Sequence, residues 1–263
     1  MSFFLNPDWL NRPGPYAFKW DHFLFIALAT IIGIISAILL RKCQRKTIKI
    51  VLISIWGTVV FIDVFKWTIF YILLFNNYPG YEFSLDRMLP LHSCSLFMYV
   101  MPFALFSKNR YVVTAANSFL VTVNMIMGYI TLFVGFAGKN TSVFSFFGFH
   151  TLLYHALIFI APLIMVVTGY YDLQRKDIKY GIVTFLMFAI VIWTFDAITG
   201  CDYMYIYDGH TFGVLKFIYE NVHHLVWTLI TITCYILTAL ITHYFIYFLK
   251  KHLQKTEANK DTI

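Results

Sequence analysis

Apolar residues in this chain neither alternate nor keep to one stripe of a helix. They fill continuous runs near residues 22–40, 50–75, 88–106, 111–136, 146–169, 180–199 and 218–249. A helix needs about 20 apolar residues to cross the hydrocarbon of a bilayer. The pattern therefore predicts an all-α, polytopic membrane protein, a bundle of seven transmembrane helices over residues 22–249. Residues 1–21 are read as an outer interfacial segment, with Trp9, Tyr16 and Trp20 at headgroup depth. They carry no basic n-region and no small-residue cleavage site, so a secretory signal peptide is not expected. Residues 250–263 form a basic tail. The last run is long enough to tilt or to project beyond the membrane.

Composition agrees with this picture. Of 263 residues, 60% are hydrophobic and 13% charged, against about 25% charged in soluble domains. The net charge of +7 would suggest nucleic acid in a soluble protein, but its distribution follows the connections between runs. Arg41, Lys42, Arg45, Lys46 and Lys49 fill the first connection, Lys108 and Arg110 the third, and Arg175, Lys176 and Lys179 the fifth. Lys250, Lys251, Lys255 and Lys260 follow the last run. With seven alternating helices these segments share one side. By the positive-inside rule that side is cytoplasmic, the N-terminus outside and the C-terminus inside. A nucleic-acid partner is not expected.

Polar groups inside the runs define the candidate chemistry, because ionisable residues at bilayer depth are costly. The third run begins Leu89-Pro90-Leu91-His92-Ser93-Cys94-Ser95, which puts Cys94 near the positive end of a helix, where a thiolate is favoured. On a regular helix His92 points away from Cys94, so the base for that thiol should come from another helix. The fifth run offers His150 and His155, the sixth Asp196, and the last Glu220, His223 and His224. All of these fall at the outer ends. The loop Gly200-Cys201-Asp202-Tyr203-Met204-Tyr205 reads as a lid or headgroup-binding surface through Asp202, Tyr203 and Tyr205, or as an interfacial aromatic belt. Asp63 and Lys66, three residues apart in the second run, fit a buried ion pair. Asn117 and Asn124 fit interhelical hydrogen bonds.

Three chemistries suit this set. The first is acyl transfer, with Cys94 as nucleophile, His155 or His150 as base, and Asp196 or Glu220 orienting the base. The second is a metal site built on Glu220-x-x-His223, with His92, His150 and Asp196 adding ligands. The third is transport or sensing through Asp63, Lys66 and Asp196, although no run is visibly broken at mid-membrane as transporter sites often are.

Leu89-Pro90-Leu91-His92-Ser93-Cys94 resembles the LPLHxC signature of the bacterial YwaF-like integral membrane family. The segment Phe146 to Leu157, containing His155-Ala156-Leu157, is similar to its aromatic segment ending in His-Gly-Leu. Gly200 to Tyr205 is similar to its Gly-x-Asn-Tyr-Met-Tyr/Phe loop, with Asp202 in place of the asparagine. The resemblance implies kinship with animal ether-phospholipid acyltransferases, in which a cysteine and a histidine are held to be catalytic. Carried over, these are Cys94 and His155. The expectation is a membrane acyltransferase or lipid hydrolase acting on phospholipid in a bacterial plasma membrane, with no cofactor.

Overall fold

A computed structural model describes residues 18–77, 83, 85, 89–134, 143–208 and 213–260. Among them there is no strand, and the helices are α1 (Trp20–Leu40), α2 (Arg45–Phe75), α3 (Leu96–Phe106), α4 (Arg110–Phe119), α5 (Met125–Val134), α6 (Phe146–Val167), α7 (Ile178–Thr199), α8 (Gly213–Glu220) and α9 (His224–Lys260). A π-helical turn, Leu120–Asn124, joins α4 to α5 without a break. Residues 1–17 of the predicted interfacial segment lie outside the described residues, and Trp20 and Asp21 already belong to α1.

Six helical stretches among the described residues are long and apolar enough to cross a membrane. The predicted third span differs. Its helix covers Leu96–Phe106, 11 residues, or roughly 16 Å at 1.5 Å per residue, about half of the ~30 Å of hydrocarbon. Leu89–Ser95 is turn and bend instead. Pro90 has no N–H to give a helix and biases Leu89 toward extended backbone. The last predicted span is also divided, at Asn221–His223, so Glu220 ends α8 and His223 lies outside α9.

The α4–π–α5 stretch and α6 are mostly buried, whereas α1, α2, α7 and α9 leave most of their residues at least partly exposed. Such faces belong against lipid. Helix α6 packs against α1, α2 and α5, and the π-turn touches α3, α6, α7 and α9. Polar groups tie the centre to its surroundings. His22 of α1 sits 2.6 Å from the Leu132 carbonyl of α5 through Nε2. Pro102 leaves the Met98 carbonyl without its helical N–H, and the Trp56 indole of α2 donates to that carbonyl at 2.9 Å.

The basic connections gather at one end of the bundle. Lys250 bridges to Asp172, the Arg45 guanidinium lies 4.3 Å from the centroid of the Tyr170 ring, and Lys49 lies over Phe106. The first, third and fifth connections and the end of α9 thus meet, as their shared charge predicts. The turn at 89–95 and the loop at 200–208 lie toward the other end.

At Gly128 α5 comes close to α6. A Cβ there would meet Ile158 Cγ2 at 2.8 Å and the His155 carbonyl at 3.5 Å. Small residues permit such close crossings in membranes. Gly128→Ala should therefore lower stability by about 1–3 kcal/mol, read as the unfolding midpoint in mixed micelles. Gly57 of α2 has nothing within 4 Å of a built Cβ. Gly57→Ala should be neutral or stabilise by up to about 1 kcal/mol.

Candidate functional site

The site starts from a backbone problem. Leu89–Ser95 is not helical, so its N–H and C=O groups need partners from the rest of the protein, because hydrocarbon offers none. The His92 carbonyl accepts from the N–H groups of Ser95 and Leu96 at 2.8 and 3.2 Å. The Asn124 side-chain amide donates to the carbonyls of Ser93 and Cys94 at 2.9 and 3.0 Å. Asn124 ends the π-turn, a local winding that is rare in helices and frequent at functional sites. Tyr203 accepts from the Leu89 N–H at 3.1 Å and donates to the Leu85 carbonyl. The Tyr235 hydroxyl of α9 lies 3.3 Å from Ser93 Oγ and 3.2 Å from the Met204 carbonyl.

Held this way, Cys94 directly precedes Ser95, the N-cap of α3. Its thiol meets His155 of α6, with Sγ 3.3 Å from Nε2. The other ring nitrogen, Nδ1, is 2.6 Å from the Thr151 carbonyl. A carbonyl only accepts, so Nδ1 carries the proton and Nε2 is left to accept from the thiol. A thiol, an imidazole and an orienting carbonyl thus stand in line, the arrangement that a nucleophile and its base would need. Ser95, the residue after Cys94, is buried with it. Cys94 and His155 are 8% and 9% exposed. His155 is nine residues into α6, roughly 13 Å from that end of the helix, within one of the stretches long and apolar enough to cross a membrane.

The remaining candidates divide into neighbours and outsiders. His92 faces away from the Cys94–His155 pair, as expected, but a bend turns it rather than helical spacing. Its ring packs on Tyr203 and Tyr205, and Nδ1 accepts from the Met204 N–H at 3.4 Å. His150 stacks on Tyr154 with centroids 5.6 Å apart and has Nε2 3.9 Å from Asp63 Oδ1. It belongs to a second polar group in which Asp63 pairs with Lys66 at 2.7 Å and accepts from the Trp67 indole at 3.1 Å. His155, not His150, therefore faces the thiol.

Neither carboxylate expected to orient the base does so. Asp196 accepts from the Tyr203 N–H at 2.9 Å, and Glu220 is half exposed beside Lys216. The break before α9 leaves Glu220 and His223 on no common helix. His223 is exposed, and His224 packs on Tyr207 and Trp193. Among the described residues no group of three or more His, Cys, Asp and Glu side chains could hold a metal ion, so the ligand set of the metal reading is not assembled there.

The loop after α7 is only partly a surface, with Gly200 exposed and Asp202, Tyr205, Tyr207 and Asp208 half-buried. Tyr203, Met204 and Ile206 are fully or almost fully buried, and the Tyr203 hydroxyl is engaged with the backbone of Leu85 and Leu89. Met204 and Tyr205 adopt left-handed backbone, with φ of 61° and 56°, a strained conformation for such side chains that surrounding structure must hold. The Trp227 indole donates to the Tyr205 carbonyl at 3.1 Å, and Thr228 donates to Ile206 at 2.9 Å. Asp202 accepts from the Asp208 N–H at 2.8 Å and closes the loop.

Sequence reasoning missed Thr151, Ser95, Tyr154 and Tyr235 as site residues. Thr151 acts through its carbonyl, which every residue has, and single hydroxyls in apolar runs carry no distinguishing pattern. Asn124 was legible as an interhelical donor, though not its target. Asn124→Ala leaves two carbonyls without their donor and should cost roughly 3 kcal/mol. Asn124→Asp keeps the shape but turns acceptors toward both carbonyls, and should cost more. Unfolding midpoints of the purified variants decide the order.

The segment from residue 17 to residue 249 matches the model of the TMEM164 family. No curated protein and no solved structure matches the chain. The match spans most of the 263 residues, including every element that builds the site, and the apolar helices agree with it. The chain is an integral membrane protein and belongs to the TMEM164 family.

Proposed function

We propose that this protein is a membrane-embedded acyltransferase or lipid hydrolase that cleaves phospholipid acyl esters through Cys94 and His155. The observation that carries the reading is the 3.3 Å contact between Cys94 Sγ and His155 Nε2, with Nδ1 held by the Thr151 carbonyl. His155 takes the thiol proton as sulfur attacks the acyl carbonyl carbon. Collapse of the tetrahedral adduct expels the lysophospholipid alkoxide, which receives that proton from His155, and a thioester remains on Cys94. An acceptor hydroxyl, deprotonated by His155, then attacks the thioester and restores the thiol. Water as acceptor gives hydrolysis, and a lysophospholipid gives transfer. No cofactor enters either half.

The positive end of the half-helix α3 adds to this, because Cys94 stands at its start, where negative charge on sulfur is favoured. An apolar cavity of about 150 Å³ between α2 and α6, lined by Ile62, Phe65, Phe146, Phe149, His150 and Leu153, suits an acyl chain arriving sideways from lipid. We place the basic end at the cytoplasm and the site toward the outer leaflet of a bacterial plasma membrane. A second reading, transport or sensing, draws on the interrupted third span. It predicts substrate flux in proteoliposomes that survives loss of the thiol.

Purified Cys94→Ser and His155→Ala should each lose acyl exchange on phosphatidylcholine by at least about 100-fold while eluting as folded protein. Wild-type rates in both variants would sink the reading.

A further inference from the structure

An acyl transfer at Cys94 needs a donor for the negative charge that forms on the carbonyl oxygen. Three of the usual sources near the thiol are committed elsewhere. The N–H groups of Ser95 and Leu96 bond to the His92 carbonyl, and the Asn124 amide is spent on the carbonyls of residues 93 and 94. One strong donor in the same place is not spent. Tyr154 is 4% exposed, and its hydroxyl has no hydrogen-bond partner among the described residues. Buried phenols normally find one, and a buried hydroxyl without one costs about 1–3 kcal/mol.

The ring cannot easily turn away from this position. It precedes His155 on α6 and meets the His155 ring edge to face, with centroids 5.3 Å apart. Its other neighbour is His150, stacked at 5.6 Å and 22°. The Ser95 hydroxyl, next to Cys94 in the chain, is buried as well and acts electrostatically on both the thiol and the phenol. The phenol ring therefore lies against the imidazole that meets the sulfur, and its hydroxyl has nothing to donate to among the described residues.

We propose that the Tyr154 hydroxyl, together with the Ser95 hydroxyl, is the oxyanion-stabilising pair of this site. The inference rests on the acyl-transfer reading and adds Tyr154 to its catalytic residues. As the Cys94 Sγ–C bond forms, the carbonyl π pair moves onto oxygen, and Tyr154 donates its O–H to that oxygen. When the adduct collapses, the pair returns to the C=O bond, the ester C–O bond breaks, and the departing alkoxide takes its proton from His155. Tyr154 keeps its own proton throughout. Such a donor, idle in the ground state and engaged in the transition state, raises turnover without tightening substrate binding.

The test uses the full chain in nanodiscs, phosphatidylcholine with a fluorescent sn-2 acyl chain, and lysophosphatidylcholine as acceptor. Tyr154→Phe removes one oxygen that holds no hydrogen bond among the described residues, so thermal stability should be unchanged or higher. Turnover should fall by about 100-fold or more with KM unchanged. Alkylation of Cys94 by iodoacetamide, resolved by mass spectrometry from Cys43, Cys201 and Cys234, should keep its wild-type rate, because alkylation forms no oxyanion. Wild-type turnover in Tyr154→Phe, with Cys94→Ser and His155→Ala inactive, overturns the inference and leaves the acyl-transfer reading standing. A parallel fall in alkylation and turnover also overturns it, since the thiol itself would then be displaced. Activity in Cys94→Ser and His155→Ala, or no turnover by the wild type on this lipid, counts against the acyl-transfer reading and removes the inference with it.

Discussion

Non-helical backbone at bilayer depth must find its hydrogen-bond partners inside the protein, and the seven residues Leu89–Ser95 impose that demand here. Much of what is unusual in the fold answers it. The π-turn at Leu120–Asn124 delivers a side-chain amide to two carbonyls. The loop after α7 folds inward, with two residues in left-handed backbone, and brings Tyr203 to Leu85 and Leu89 and the Met204 N–H to His92. Helix α9 contributes Tyr235, Trp227 and Thr228 to the same end. Each of these features would be a cost by itself. Together they hold one short stretch of chain.

What that stretch gains is position. A cysteine inside a continuous helix presents its sulfur sideways, beside the i−4 carbonyl. Cys94 instead precedes the first turn of a half-helix, where the positive end of the dipole is directed at it. The base is fixed with equal economy. Because Nδ1 of His155 is held by a carbonyl of its own helix, the tautomer that leaves Nε2 as acceptor is set without a buried carboxylate. An Asp or Glu there would need its own compensating cation at depth. The nearby carboxylate, Asp63, has Lys66 and Trp67 as such partners and stands against His150 instead.

The sequence was most legible where physics acts on long runs. Hydrocarbon thickness fixes the length of apolar helices, so the long spans could be read directly. Charge bias gathered Arg45, Lys49 and Lys250 at one end, where the structure also puts them. The common depth of Cys94 and His155 followed from counting residues along two helices. The interrupted third span was not legible, because Leu91 and Leu96 to Phe106 are as apolar as any helix and Pro90 is acceptable in a first turn. Glu220 and His223 misled for the opposite reason. A spacing of three has meaning on a continuous helix, and the chain breaks between them. Thr151 could not be found at all, since its contribution is a carbonyl.

Depth also constrains how any substrate arrives. The thiol meets His155, roughly 13 Å from one end of α6, and the loop after α7 buries Tyr203, Met204 and Ile206 at the same end. A polar substrate would have to open that loop and break the bonds that shape the Cys94 turn. An acyl chain meets no such barrier from the side, where α2 and α6 present Ile62, Phe65, Phe149 and Leu153 around an apolar cavity with His150 at its wall. In the proposed acyl transfer, the ester of a phospholipid starts near the headgroups, so its carbonyl would have to be drawn inward to reach sulfur. That displacement loses headgroup hydration, and polar groups near the thiol must replace it. Ser95, Tyr154 and Tyr205 are of the right kind, hydroxyls that need no counter-charge at depth. A site lined by carboxylates or lysines would bind the headgroup more strongly and hold the ester away from the sulfur.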